Sequence, residues 1–349
     1  MIRHKIHGKM GDSQLLVGER LENLHRYMPA DRTILITDAI VRKLHGDRFP
    51  PCPVIEIGQG EAVKTPETVS MIYKQLMELD ADRSAFITGI GGGIVCDISG
   101  FTASTYLRGV RFGFVPSTLL AQVDASVGGK NGVNFRGYKN MIGVFNQPEF
   151  VICDTNLLKT LTETDYLCGF AEIVKHAVIA DAEMFAFLEK NCPESRERNQ
   201  DVLQKLVHDS IVIKSEVVNR DEREKGERRK LNFGHTFGHA IEKTAGIPHG
   251  QAVSAGMVIA ARLSVSRGLL SENEALRIEA LLEKLGLPTR IPVNIKEASD
   301  ALKRDKKREG KGICFVLIKG IGNAVTEDIT VEELEAVFKS WEKNAEMKF

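Results

Sequence analysis

The chain of 349 residues lacks the features that mark several specialised classes of protein. No run of about twenty apolar residues exists, so no membrane-spanning helix and no membrane partner are expected. The 47 basic and 47 acidic side chains balance, which leaves no overall field to attract nucleic acid. The six cysteines form no CxxC pair, and the first residues have no long apolar core like that of a secretory signal. These absences predict reduced thiols and a cytoplasmic location.

What is present is typical of a globular protein with two domains. Hydrophobic residues make up 43% of the chain and charged residues 27%, and 349 residues are long for a single core. Up to residue 161, short β-branched runs such as TILITD (33–38) and SAFITGIGGG (84–93) alternate with helical spacing. This alternation predicts a Rossmann-like α/β domain over 1–161. From 162 to 349 the apolar spacing is mainly helical, which predicts a second, mainly α-helical domain.

A cluster of glycines lies between a predicted strand and a predicted helix, in GIGGGIVCDISGF (89–101). Glycines let the backbone approach a phosphate, and a helix N-terminus supplies N–H groups and a positive dipole end. The GxGGGxxxD spacing differs from the usual dinucleotide fingerprint, so a tight strand–helix turn is the alternative interpretation. Asp97 then caps the helix or contacts a cofactor hydroxyl.

Polar side chains among glycines and small residues mark the stretch 117–148. They include Asp124, Lys130, Asn131, Lys139 and Asn140. A glycine-rich backbone with isolated lysines suits contact with oxyanions, because a lysine ammonium acts as a compact point charge for phosphate. Each lysine taken alone is more simply a solvated surface residue.

Three histidines are concentrated in LNFGHTFGHAIEKTAGIPHGQAV (231–253). His235 and His239 are four residues apart and share one face of a helix, although the glutamate of the HExxH zinc motif is missing. His249 follows in a turn, and Glu172 on another predicted helix is a fourth candidate ligand. Three nitrogen and oxygen ligands suit a catalytic Zn²⁺ that acts as a Lewis acid. Packing is the alternative for any one of these histidines.

Taken together, these motifs resemble one family closely, the 3-dehydroquinate synthases of the shikimate pathway. The resemblance runs in order from GQGEAVK (58–64) to RDKK (304–307). The matching pieces between them are GGGIVCD, YLRGVRFGFVPSTLLAQVDASVGGKN, YKNMIG, GFAEIVKH, IKSEVV, ERRKLNFGHTFGHAIE and HGQAV. The resemblance implies the dehydroquinate synthase-like fold, with an NAD-binding α/β domain and a helical domain that binds metal and substrate.

The resemblance also assigns roles by position. Zinc or cobalt would be bound by Glu172, His235 and His249, whereas His239 would contact the substrate instead. The other substrate-site positions are Asp124, Lys130, Asn140, Lys175, Lys214, Arg228 and Asn232, with Lys306 or Lys307 near the substrate carboxylate. Arg108 would reach the site of the partner in a homodimer. NAD contacts would come from Asp38, Glu61, Lys64, Gly92, Gly93, Asp97, Ser117, Thr118, Lys130, Lys139, Leu158 and Thr160.

The implied reaction converts 3-deoxy-D-arabino-heptulosonate 7-phosphate to 3-dehydroquinate and phosphate. It combines a transient oxidation by NAD, phosphate elimination, re-reduction and an aldol closure. Three alternatives stay open: a related sugar phosphate cyclase, an NAD- and metal-dependent polyol dehydrogenase, and an inactive binding protein. Departures from the family pattern, at Cys96, Ser117, Gln251 and Ile40, fall on positions for NAD or behind the metal ligands.

Overall fold

The computed structural model describes residues 1–8, 11–292, 294–303, 308–309 and 312–346. The chain divides into two compact units. The first comprises residues 1–162 and 203–223, and the second comprises residues 163–202 and 224–349. The expectation of an α/β unit and a mainly helical unit is confirmed.

The first unit is built on a sheet of seven strands in the order β1-β2-β9-β6-β5-β3-β4. Strands β1 and β2 pair antiparallel, and all other pairings in this sheet are parallel. The strands of this unit, including a separate antiparallel hairpin of β7 and β8, are β1 (Ile2–Gly8), β2 (Gly11–Val17), β3 (Thr33–Asp38), β4 (Val54–Ile57), β5 (Phe86–Gly91), β6 (Arg111–Pro116), β7 (Lys130–Phe135), β8 (Tyr138–Phe145) and β9 (Phe150–Cys153).

Helices connect the parallel strands of this sheet. They are α1 (Ala39–His45), α2 (Pro66–Glu78) and α3 (Gly93–Thr105). Helix α2 shows why such a segment is helical: Thr65 caps its N-terminus, Pro66 occupies the first turn, and Val69, Ile72 and Leu76 form one buried face.

The strand order creates a switch point between β3 and β5. From β3 the chain continues to β4 on one side, whereas β5 and β6 follow on the other side. The loops that leave the carboxyl ends of β3 and β5 therefore diverge, and open α/β sheets bind ligands in that crevice. Asp38 ends β3, and Gly91 ends β5.

The second unit is mainly helical. Its helices are α4 (Glu163–Ala180), α5 (Ala182–Lys190), α6 (Cys192–Arg196), α8 (His235–Ala245), α9 (His249–Ser266), α10 (Glu272–Leu285), α11 (Ile295–Lys303) and α12 (Val331–Glu346). A sheet of three antiparallel strands completes it, with β10 (Arg308–Glu309), β11 (Gly312–Ile318) and β12 (Ala324–Thr330).

The remaining helix, α7 (Gln200–Arg220), departs from the single boundary predicted at residues 161 and 162. Residues 203–223 belong to the first unit, not to the helical one. In the first unit, Ser215 bonds the ring of His4, and Lys214 binds Asp124. Helical spacing predicts a helix but does not specify which core that helix packs against, so periodicity alone could not assign α7.

Among the described residues, no helix combines the length and the apolar character that crossing a bilayer requires.

Candidate functional site

Three side chains of the second unit form a cluster with the donor set of a metal site. Glu172 lies in the middle of α4, His235 is the first residue of α8, and His249 is the first residue of α9. One ligand atom from each lies within 4.8 Å of the others. The resemblance to the family implies this set, and the structure brings all three together.

The environment of Glu172 fits a cation. Its carboxylate is fully buried, and within the described chain its Oε1 accepts no hydrogen bond. The Nε2 atoms of His235 and His249 face this oxygen at 3.6 Å and 3.8 Å, which is too long for hydrogen bonds. A buried carboxylate oxygen facing two imidazole nitrogens matches the mixed N and O ligands of Zn²⁺ or Co²⁺.

Both imidazoles are oriented by their second nitrogen. His235 Nδ1 lies 3.1 Å from the main-chain oxygen of Phe233, and His249 Nδ1 lies 2.9 Å from Glu242 Oε2. Each acceptor favours a proton on Nδ1, which leaves the lone pair of Nε2 directed toward Glu172. Glu242 was not singled out from the sequence. The available signal was a lone carboxylate seven residues before a candidate ligand.

The polypeptide around Gly234 explains how His235 enters the cluster. Gly234 has a left-handed conformation with φ of 77°, and a Cβ there would lie 2.5 Å from Met257 Cγ and 3.0 Å from the oxygen of Val253. Only glycine allows α8 to begin this close to α9.

Lys175 decides which carboxylate oxygen faces the histidines. It follows Glu172 by one turn of α4, is buried, and donates to Oε2. The pair leaves Oε1 to the two imidazoles. His176 is buried on the same helix.

His239 differs from the other two histidines of its segment. It is exposed, and its ring centre lies 5.3 Å from that of His235 and 5.9 Å from that of His249. Its role as a substrate contact stays a prediction. Arg228 and Asn232 lie in the turn that leads into α8, where Arg228 is buried and Asn232 donates to Glu224 at 2.6 Å.

In the first unit, the glycine-rich turn lies at the switch point. Gly92 caps α3, and a Cβ at Gly92 would contact Thr118 Cγ2 at 3.2 Å. A Cβ at Gly93 would lie 3.1 Å from that of Ala125. Ser117 donates its N–H to the oxygen of Gly91 at 2.8 Å, so the loop after β6 adjoins the turn after β5. Four predicted NAD residues, Gly92, Gly93, Ser117 and Thr118, are therefore neighbours.

A lysine-centred network lies beside this turn. Lys64, which is buried, donates to Asp97 and to Asn140 Oδ1, the latter at 2.6 Å. Burial raises the pKa of Asp97 to about 6, and the neighbouring Lys64 ammonium opposes the increase. Two residues predicted to bind NAD thus share a network with Asn140, which was predicted to bind substrate.

A second ion pair joins α7 to the turn Ala121–Ala125. Lys214 Nζ donates to the main-chain oxygen of Asp124 at 2.6 Å and to its Oδ1 at 2.5 Å. The Lys214 side chain is nearly buried. Both residues were predicted substrate-site groups, and the structure places them in contact within the first unit.

The other predicted residues of the first unit are less grouped. Asp38 caps α1 by accepting the N–H of Val41 at 2.9 Å, and Glu61 accepts from Asn134 at 2.8 Å. The remaining members comprise the exposed residues Arg108, Lys130, Lys139 and Thr160 and the buried Leu158. The prediction for Lys306 or Lys307 lies outside the described residues.

Comparison with known proteins shows the family of the chain. A family model described as 3-dehydroquinate synthase N-terminal matches residues 54–168, and one described as 3-dehydroquinate synthase C-terminal matches residues 169–308. A 3-dehydroquinate synthase from Geobacter metallireducens is 47% identical over 272 residues, which cover 77% of this chain and 76% of that protein.

Two solved structures share the fold. The 2-epi-5-epi-valiolone synthase from Streptomyces hygroscopicus, with NAD⁺ and Zn²⁺ bound, is 29% identical with a TM-score of 0.88, covering 97% of this chain and 99% of that one. A 2-deoxy-scyllo-inosose synthase, complexed with carbaglucose-6-phosphate, NAD⁺ and Co²⁺, is 26% identical with a TM-score of 0.87, covering 96% and 99%.

The chain thus has the fold of these two synthases, whose structures contain NAD⁺ with Zn²⁺ or Co²⁺. The two family models together span residues 54–308, well over half of the chain. The chain belongs to the 3-dehydroquinate synthase family.

Proposed function

We propose that this protein is a 3-dehydroquinate synthase, a carbon–oxygen lyase that converts 3-deoxy-D-arabino-heptulosonate 7-phosphate to 3-dehydroquinate and phosphate. The observation that carries the proposal is the buried Glu172 carboxylate facing His235 and His249 in a chain of this family. In this reaction the substrate is oxidised transiently, loses phosphate, is re-reduced and closes its ring by an aldol step. The net redox change is zero.

Two cofactors fit the residues present. Glu172, His235 and His249 would bind Zn²⁺ or Co²⁺, which as a Lewis acid would acidify a substrate hydroxyl. NAD would accept a hydride and return it. The switch point and its glycine turn support the assignment of NAD to Gly92, Gly93, Ser117, Thr118, Lys64 and Asp97. Asp38, Glu61, Lys130, Lys139, Leu158 and Thr160 complete the proposed NAD set.

The substrate carries a phosphate and a carboxylate, and the proposed site supplies several cations and amides to bind them. We assign the phosphate to Lys130, Lys175, Asn140, Asn232 and His239. The planar guanidinium of Arg228 suits the carboxylate, with Lys306 or Lys307. Asp124 fixes the Lys214 ammonium with two acceptors, so that Lys214 is held in position before substrate arrives.

A cytoplasmic homodimer is part of the proposal. Arg108 lies in an exposed turn in which both Leu107 and Arg108 have positive φ, of 50° and 69°. Such strained non-glycine conformations concentrate at functional sites. Large apolar side chains of β8, among them Tyr138 and Met141, are exposed. An exposed apolar strand supports contact with a second copy of the chain.

Mixing two inactive variants tests the role of Arg108. If Arg108 serves the partner's site, Arg108→Ala and His249→Ala chains that are unfolded and refolded together regain about a quarter of the parent activity, because half of the dimers contain one complete site. Refolding each variant alone is the control. No regain in a mixture that forms heterodimers would show that Arg108 acts within its own subunit.

The activity itself is tested by phosphate release from 3-deoxy-D-arabino-heptulosonate 7-phosphate with catalytic NAD⁺ and Zn²⁺, while absorbance reports NADH. We expect one phosphate per substrate without accumulation of NADH, and loss of activity with a chelator and in His249→Ala. A folded, metal-loaded protein that releases no phosphate would refute the proposal. Net NADH formation from polyols would instead indicate a dehydrogenase.

A related sugar phosphate cyclase is the second candidate, favoured by the shared fold of the two solved synthases. Their identity of 26% and 29% is below the 47% shared with the 3-dehydroquinate synthase relative. Assays with hexose and heptulose phosphates that lack the carboxylate separate the candidates, since such substrates offer no carboxylate to the guanidinium of Arg228.

A further inference from the structure

The two proposed metal-binding imidazoles are oriented in different ways. His235 Nδ1 faces a main-chain oxygen, that of Phe233, whereas His249 Nδ1 faces the carboxylate of Glu242 at 2.9 Å. The orientation of His235 is therefore built into the backbone beside Gly234. That of His249 depends on one side chain.

The connection between α8 and α9 places Glu242 beside His249. Helix α8 ends at Ala245, and its C-cap Gly246 is left-handed with φ of 64° and donates its N–H to the main-chain oxygen of Glu242 at 3.0 Å. Pro248 then precedes the first residue of α9, so the last turn of α8 adjoins the start of α9. Glu242 and His249, which are seven residues apart in the chain, are therefore in direct contact.

The contact is partly shielded from water. The Glu242 side chain is 15% exposed and that of His249 is 30% exposed. A charged carboxylate that accepts from an imidazole N–H makes a stronger bond than a carbonyl does, and it makes the opposite nitrogen a more basic ligand. Glu242 thus acts on Nε2, the atom that faces Glu172, from the far side of the ring.

We propose that Glu242 is a positioning residue that orients His249 and increases its affinity for the metal. The inference rests on the proposed function, because it assumes that Glu172, His235 and His249 bind the ion. Glu242 is not one of these three proposed ligands. Its removal should weaken metal binding without abolishing it.

The experiment measures Zn²⁺ and Co²⁺ affinity by competition with a chromophoric chelator, without substrate, in the full-length protein. We expect Glu242→Ala to weaken binding by about 10- to 100-fold, as is typical of partners behind a metal ligand. Glu242→Gln should lose less, since its amide oxygen can still accept from Nδ1 without the charge. The visible absorption of bound Co²⁺ should shift in both variants while the stoichiometry stays at that of the parent.

The chain offers a matched control in the same unit. Glu283 accepts a hydrogen bond from Thr289, six residues later, at 3.0 Å. Glu283→Gln makes the same chemical change away from the metal ligands, and the affinity should stay within about twofold of the parent.

The outcomes separate the two proposals. Parent-like affinity and Co²⁺ spectra in folded Glu242→Ala would overturn the positioning role and leave the proposed function intact. Metal loss as complete as in His249→Ala would mean that Glu242 is itself a ligand, which also overturns it. A parent protein that binds no metal would instead refute the metal site and, with it, the proposed function.

Discussion

The carboxylates of the two units differ in how their charge is paired. In the first unit, each carboxylate of the two ion pairs already has a lysine, with Asp97 on Lys64 and Asp124 on Lys214. In the second unit, Lys175 occupies only one oxygen of Glu172, and two imidazoles face the other. The first arrangement is complete with protein atoms, whereas the second would be completed by the proposed cation. The comparison shows that a metal site is recognised by a buried carboxylate oxygen that accepts no hydrogen bond from the protein, not by the number of acidic groups.

The largest expected effect comes from removing the charge of Glu172 in the second unit. Glu172→Gln keeps the size of the side chain but removes the charge that faces the two histidines. We expect metal affinity to fall by more than about 100-fold, beyond the range typical of residues behind the ligands, and phosphate release to fall with it. Metal content after dialysis against a chelator measures the change.

Glu163→Gln is the control for this variant, since Glu163 lies in the exposed first turn of the same helix. It should retain the metal. If Glu172→Gln kept the metal as well, the cluster would not be the site. Because the exchange removes the charge beside buried Lys175, circular dichroism must first show that the variant is folded.

The next effect tests the completed pair in the first unit. Burial raises the pKa of Asp97 from 3.8 to about 6, so the fold favours the neutral acid. The stabilisation from this group is fully present below pH 3.8 and is lost as pH rises through about 6. A change of one in pKa corresponds to about 1.4 kcal/mol. Between pH 4 and pH 7, the unfolding free energy of Asp97→Asn should therefore rise by up to about 3 kcal/mol relative to the parent.

Urea unfolding at several pH values measures this difference. The exposed Asp80, replaced in Asp80→Asn, is the control and should show no such trend. A difference that does not depend on pH would mean that the attraction of the Lys64 ammonium fully offsets the effect of burial on the pKa of Asp97. The ion pair of the first unit would then be ionised at every pH at which the free aspartate is.

The glycine turn gives a smaller effect, which is steric. A Cβ on Gly91 would lie 2.5 Å from Val95 Cγ2, and valine has few rotamers with which to avoid it. Gly91→Ala should lower the unfolding free energy by about 1–3 kcal/mol and weaken NAD binding, because α3 must shift. Calorimetry with NAD⁺ and urea unfolding measure the two quantities.

Gly46→Ala is the matched control. Gly46 has φ of −62°, and a Cβ there would contact only Arg42 Cγ, at 3.4 Å. This variant should match the parent or exceed it slightly in stability. If both variants behaved alike, close packing at Gly91 would not be the reason for glycine in the turn.

How far the sequence predicts this molecule differs between the units as well. The alternation of strands and helices was enough to predict the sheet, because hydrophobic periodicity is a local property of the sequence. The spacing of His235 and His239 predicted a shared helical face, but could not show that His235 is buried toward Glu172 while His239 is exposed. The resemblance to the family separated them. The sequence did not predict the role of Glu242 or the assignment of α7 to the first unit. Both depend on how helices pack against each other, which the spacing of apolar residues does not specify.

The smallest effect separates two roles of one residue at the switch point. Asp38 caps α1, and the proposed function also gives it a contact with NAD. Asp38→Ala removes the cap and should cost about 1 kcal/mol of unfolding free energy, whereas Asp38→Asn keeps an acceptor and should cost only a few tenths. If Asp38 also accepts from a cofactor hydroxyl, NAD affinity falls in Asp38→Ala beyond any loss caused by instability. Parent-like NAD affinity in both variants would restrict Asp38 to its structural role as the cap of α1, and the proposed NAD set would then lose Asp38 but keep its other members.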